Sequence, residues 1–153
     1  MKKITVNLLI EILCALVLVC GILFIVFYYA KIPTIIPIHY SLSDQPDAYG
    51  SKSNVWFIVA IEVITYVGMS FLQKYPHKFN YPVQVTESNK ERLFMLGVRI
   101  ILLMKLCIVV LYTYIIFNMT GIIAMDLTLM TIGLLVFAIV LPIIFIAKMK
   151  KVQ

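Results

Sequence analysis

Four long apolar runs decide the solvent of this chain before any other feature does. They extend from about Ile4 to Tyr29, Val55 to Leu72, Leu93 to Phe117 and Gly121 to Ala147. A transmembrane helix needs about 20 mostly apolar residues, and a backbone placed in lipid must satisfy its own polar groups, which selects helices over isolated strands. The composition agrees: hydrophobic residues make up 63% of the chain, charged ones 13%, and the mean hydropathy is +1.04. A soluble domain of this size still exposes about a third of its unfolded surface, so it could not hide so much apolar area, and disordered chains are poor in apolar residues. The expected fold is an all-α integral membrane protein. Its four transmembrane helices form one bundle over residues 1–153, with the lipid bilayer as its first partner.

The basic residues give the direction. Lys2 and Lys3 precede the first run, Lys74, Lys78, Lys90 and Arg92 fall between the second and third, and Lys148, Lys150 and Lys151 follow the fourth. Only Lys31 and Lys52 lie between the first and second, and none between the third and fourth. By the positive-inside rule both termini and the segment 73–92 are cytoplasmic, and loop 31–54 faces outward from the cell (inner, cytoplasmic) membrane. The net charge of +6 thus reports orientation, and nucleic acid is not an expected partner. The first run ends in Phe27-Tyr28-Tyr29 rather than small residues and is too long for a signal peptide, so it is expected to stay as an anchor. Cys14, Cys20 and Cys107 lie within apolar runs without metal or redox spacing and read as small packing residues.

Four charges fall inside the spans. A lone charge at the bilayer centre costs roughly 2.5 to 3.5 kcal/mol on insertion scales, and such residues pair or function. At about 1.5 Å per residue, Glu11 and Arg99 lie at similar depths, about 10 Å and 9 Å from the cytoplasmic end. Glu62 and Lys105 lie roughly 12 Å and 18 Å below the outer end, a gap that a snorkelling lysine narrows. The expected pairs are Glu11 with Arg99 and Glu62 with Lys105. They act either as glue between the third span and its neighbours, or as a polar or proton path.

Loop 31–54 reads KIPTIIPIHYSLSDQPDAYGSKSN. Pro33 and Pro37 force extended backbone. Gln45-Pro46-Asp47 signals a turn, Gly50 permits positive φ, and Ser53 or Asn54 is placed to cap the second span. Ile35, Ile36, Ile38 and Leu42 are too apolar for a free loop, which is expected to pack as a lid. His39, Asp44, Asp47 and Asp126 carry metal-ligating chemistry, but their spacing matches no metal motif. His39 tied to a carboxylate is the expected arrangement, with Asp47–Lys52 as an alternative ion pair.

The string Ile-Pro-x-x-Ile-Pro-Ile-His-Tyr (32–40) with Gln-Pro-Asp-x-Tyr-Gly-Ser-Lys (45–52) resembles the signature loop of a bacterial membrane family, the domain of unknown function 1648. That module also occurs in the N-terminal part of SdpI-type toxin-immunity proteins. The resemblance marks Pro37, His39, Asp47, Gly50 and Lys52 as motif positions, with no catalytic role attached; Pro33, Asp44 and Tyr49 of the same loop join them as candidate ligand-contact residues. Asn80-Tyr81-Pro82 followed by Thr86-Glu87-Ser88-Asn89 resembles the family's cytoplasmic segment.

In loop 73–92 the prolines interrupt any long helix, His77 reads as exposed, and Ser88-x-x-Glu91 reads as a capping box for the third span. No phosphate loop, zinc-protease, hydrolase or dinucleotide motif is present, so neither enzyme activity nor a cofactor is expected. Three classes of function remain. One is a sensor or immunity-type protein recognising an extracytoplasmic peptide, toxin or ligand through loop 31–54, with a cytoplasmic regulator as a further partner. Another is a small proton- or ion-coupled transporter using Glu11 or Glu62. The third is a structural or assembly subunit. The first is favoured, on the resemblance, and the oligomeric state is left open.

Overall fold

The computed structural model describes residues 2–41, 43, 45–122 and 127–152. Four helices account for most of it: α1 (Lys2–Tyr28), α2 (Asn54–Leu72), α3 (Lys90–Met119) and α4 (Leu127–Lys150). Each is long and apolar enough to cross a membrane, which makes this a multi-pass membrane protein. Between α1 and α2 the chain forms an antiparallel hairpin, β1 (Ile35–Tyr40) with β2 (Pro46–Ser51). Short 3-10 turns at Tyr29–Lys31 and Pro76–Lys78 round the corners.

Helices that are apolar on every side cannot mark their buried face by hydrophobicity, so small and polar residues mark it instead. On α1 the buried residues Cys14, Leu18 and Ile25 share one stripe, which Asn7, Glu11 and Gly21 extend. On α2 the stripe is Val55, Val59 and Glu62, continued by Tyr66, Ser70 and Gln73 at the same helical spacing. Both stripes face α3. Asn7 meets Arg99, Gly21 meets Thr113 and Phe24 meets Phe117, so α1 and α3 run parallel with α1 residue i near α3 residue i+92. Glu62 meets Thr113 and Ser70 meets Lys105, so α2 runs antiparallel to α3.

The expected bundle is therefore arranged around a hub. Helix α3 packs on α1, α2 and α4, whereas α4 has its substantial contact with α3 alone. The most apolar window of α4 is only 6% buried against 33% for α3. Leu141, Phe145 and Met149 of α4 do bury, on the side that meets Leu93 and its neighbours. The main apolar core lies at the hairpin end, where Ile25, Ile32, Ile36, Val55, Val59, Ile116 and Met119 pack together.

Several local expectations are corrected. The Ser41 amide donates to the Gln45 carbonyl at 2.9 Å, and Pro46 opens β2 instead of sitting in the turn. A proline that begins a strand forfeits no ladder bond. Gly50 does not use positive φ; that conformation belongs to Gly121, which turns the chain after α3 and so lies outside the fourth helix. A Cβ on Gly50 would stand 2.8 Å from Asn54 Nδ2 and 3.1 Å from Ile38, so the position demands smallness. Ser53 stands at the N-cap of α2 but makes no capping bond; its hydroxyl donates to Ser51 Oγ, and Asn54 Nδ2 donates to the Ser51 carbonyl. Before α3 the Ser88–Glu91 box does not form. Ser88 pairs with the Thr86 hydroxyl, and Asn89 holds the N-cap position while accepting from the Thr86 amide at 2.8 Å.

Candidate functional site

Two constellations gather the charged and motif residues: a polar seam between α1, α2 and α3, and the hairpin. In the seam, Lys105 is completely buried and its ammonium donates to both oxygens of Glu11, at 2.6 and 2.7 Å, and to Ser70 Oγ at 3.0 Å. The ammonium also stands 4.7 Å from the centre of the Tyr66 ring. Glu11 accepts two further bonds, from Tyr66 OH at 3.1 Å and Gln73 Nε2 at 3.2 Å. The ion pair thus has three further polar partners, in Tyr66, Gln73 and Ser70, the condition under which such a pair holds its helices together instead of costing its own desolvation.

This geometry overturns both expected pairings. Arg99 donates through Nε to Asn7 Oδ1 at 3.1 Å, and Glu62 accepts from Thr113 Oγ1 at 3.0 Å. The reason is register. With α1 and α3 offset by about 92, Asn7 is level with Arg99, and Glu11 lies one turn further along, within reach of Lys105. Glu62 is level with Thr113, eight residues or about 12 Å along α3 from Lys105, beyond a lysine's reach. Among the described residues, neither Arg99 nor Glu62 has a charged partner. An open cavity of about 320 Å³ lies beside the pair, lined by Asn7, Leu8, Glu11, Gln73, Val98 and Leu102. Gln73 Oε1 is buried there without a hydrogen bond.

Tyr66, Ser70 and Gln73 are seam residues that the sequence does not single out. Their signal is present nonetheless: Glu62, Tyr66, Ser70 and Gln73 recur at helical spacing in an otherwise apolar run. Charge alone draws attention to Glu62 and passes over its uncharged neighbours.

The hairpin is irregular in an informative way. Pro37 pairs with Tyr49, His39 with Ala48 and Tyr40 with Pro46, which leaves Ile38 extra on β1 and Asp47 extra on β2. Facing bulges of this kind twist a ribbon and re-aim its side chains. His39 Nδ1 and Asp47 Oδ1 close to 2.5 Å across the irregularity, the expected latch, and both remain well exposed. Lys52 does not pair with Asp47; its ammonium caps the carbonyls of Tyr29 and Ile32 at 3.1 and 3.4 Å and stands 4.6 Å from the Tyr29 ring. Ile32 and Ile36 pack the hairpin onto the core at that end of the bundle, as expected, while Pro33, Ile35, Ile38 and Tyr49 are exposed. Asp44, Asp126 and Leu42 lie outside the described residues. Among the described residues, no three His, Cys, Asp or Glu side chains gather at a metal-binding distance.

The segment between α2 and α3 folds onto the helices. Tyr81 stacks on Phe94 and donates to the Pro76 carbonyl at 2.9 Å. Asn80, Tyr81 and Pro82 line a cavity of about 230 Å³ closed by Gly97, Pro142 and Met149. Burial pushes the Tyr81 phenol up to about 12. Asn89 ties the segment internally through Thr86 and Gln84, and His77 is exposed.

No curated protein and no solved structure matches the chain. Residues 16–63, which comprise α1 from Leu16, the hairpin and α2 as far as Val63, match the family model of a domain of unknown function, DUF1648. The helix–hairpin–helix of this chain is thus the part that is similar to the DUF1648 family.

Proposed function

We propose that this protein is a non-enzymatic membrane receptor of sensor or immunity type, which recognises an extracytoplasmic peptide through the hairpin 35–51. The observation that carries the reading is a two-stranded sheet with an open outer edge. Strand β1 leans on the bundle through Ile36, whereas β2 packs chiefly on β1. An unpaired strand edge is a template for an added strand, which gains affinity from main-chain bonds and specificity from side chains on alternate positions. Tyr49 on β2 and Ile35 and Ile38 on β1, at 60%, 65% and 43% exposure, supply apolar contacts on the same ribbon. The His39–Asp47 latch and the Lys52 cap hold the ribbon in shape without a ligand, which lowers the ordering cost of binding.

The test is to pan a displayed peptide library against the protein in nanodiscs and compare enrichment on wild type, Tyr49→Asp and Ile38→Asp, with size-exclusion behaviour as the folding control. The expected outcome is a family of extended peptides whose affinity falls about tenfold or more, roughly 1.4 kcal/mol, on either variant. Equal binding to wild type and folded variants would overturn the reading.

One observation favours a second reading, a proton-coupled carrier. Glu62 is 2% exposed and has Thr113 as its hydrogen-bond donor, with no cation at ion-pair distance among the described residues. Glu11, by contrast, is committed to Lys105. In proteoliposomes loaded with a pH-sensitive dye, this reading requires proton uptake by wild type that Glu62→Gln abolishes. No uptake by wild type removes it.

A further inference from the structure

We infer that the junction of α3 and α4 at their basic ends is a binding site for the headgroup of an anionic phospholipid. A cavity of about 300 Å³ opens there, lined by Arg92, Met95 and Leu96 from α3 and by Lys148, Lys151 and Val152 at the end of α4. Three of these six residues are cationic and none is acidic. None of the three cations has a carboxylate partner among the described residues, and the nearby Lys90 already engages Glu87. Three like charges around one cavity repel, and in the low dielectric beside a membrane that repulsion exceeds its value in water. A phosphate between them turns repulsion into charge-assisted hydrogen bonds, and the planar Arg92 guanidinium can grip two phosphate oxygens at once.

The apolar half of the lining selects a lipid over a free phosphate. Met95, Leu96 and Val152 line the cavity, Val152 packs with the buried Leu93 and Met149, and Ile143, Ile144 and Ile146 are exposed along α4. A headgroup held by the cations can therefore lay its acyl chains along α4. Basic pockets between spans at the cytoplasmic side are the recurrent design for such headgroups. The site also answers a weakness of the fold, since among the described helices α4 has its substantial contact with α3 alone. A lipid that bridges Arg92 to Lys148 and Lys151 clips the outlying helix to the hub.

Thermal unfolding in detergent micelles doped with phosphatidylglycerol, with phosphatidylcholine, or supplied with inorganic phosphate separates the sources. Phosphatidylglycerol is expected to raise the unfolding temperature by several degrees, while phosphatidylcholine and inorganic phosphate leave it unchanged. The double variant Lys148→Gln/Lys151→Gln should lose that shift, and Lys148→Arg/Lys151→Arg should keep it, which separates lost charge from a damaged fold. Lys74→Gln/Lys78→Gln, which removes two cations from elsewhere at the same end, should keep it too. A shift that survives in the Gln double variant, or that the Lys74/Lys78 variant loses equally, reduces the effect to general surface attraction and overturns the site. An equal shift with inorganic phosphate overturns the lipid assignment.

Discussion

Lys105 is the residue on which the interior depends, because its one ammonium joins α1 through Glu11 and α2 through Ser70 to α3. Removing one partner of a buried pair leaves the other uncompensated, typically at a cost of about 3–5 kcal/mol. Lys105→Met is therefore expected to lower thermal stability in detergent sharply, and Glu11→Gln/Lys105→Met to recover much of the loss. Glu62→Gln/Lys105→Met should instead add independently, since residues more than about 7–10 Å apart do not couple. Recovery in the Glu62 double variant and not in the Glu11 one would restore the pairing that charge and depth alone suggest. The sequence discloses that these four residues are special, because charge in an apolar run is conspicuous. It does not disclose who meets whom. A shift of one turn, about 5.4 Å, exchanges partners, and that register is set by Gly21 against Thr113 and Cys14 against Leu102, contacts that carry no charge signature.

At the scale of elements, the segment between α2 and α3 depends on one glycine. A Cβ on Gly97 would stand 2.8 Å from Tyr81 OH and 2.9 Å from Phe79 Cδ2, whereas one on Gly68 meets nothing within 4 Å. Gly97→Leu should displace the aromatic pair, cost about 1–3 kcal/mol as overpacking does, and open the 79–82 backbone to proteolysis. Gly68→Leu should do neither. The same contact has a pH signature. The Tyr81 phenol titrates at about 12 in the fold against roughly 10 in an unfolded chain, so the folded state holds its proton more tightly. That contribution is complete below pH 10 and is lost as pH rises toward 12. Tyr81→Phe should be less stable by about 1 kcal/mol at pH 8 for want of the bond to Pro76, and the gap to wild type should narrow between pH 10 and 12. A gap that stays constant would mean that the phenol is not buried. The hairpin marks the limit of legibility at this scale: its prolines exclude helix and its isoleucines disclose packing on the core, yet nothing in the segment states that it pairs as two strands. The turn signal at 45–47 was misplaced because Asp47 serves as a bulge residue latched to His39.

At the scale of the whole molecule, hydropathy counts the helices but is blind to their arrangement. An apolar helix is equally welcome against lipid or protein, so nothing in Leu127–Lys150 states that α3 is the one helix among those described on which α4 packs substantially. What the arrangement does fix is that the starts of α1 and α3 and the ends of α2 and α4 share one end, opposite the hairpin, and that most of the basic residues gather there. The positive-inside bias then makes a prediction for the molecule as a unit. The native cysteines sit within helices, two of them buried, so a cysteine-free background is a modest change. In that background Ser51→Cys on β2 should react with a membrane-impermeant maleimide in intact cells, and Ser88→Cys before α3 only after permeabilisation. Because both positions are exposed to solvent in the fold, protection of either reports the membrane and not packing. The reverse pattern would turn the hairpin toward the cytoplasm, and with it any peptide that adds to its edge. Labelling of both positions in intact cells would mean that the chain inserts both ways up, an outcome that its lopsided distribution of lysines and arginines opposes.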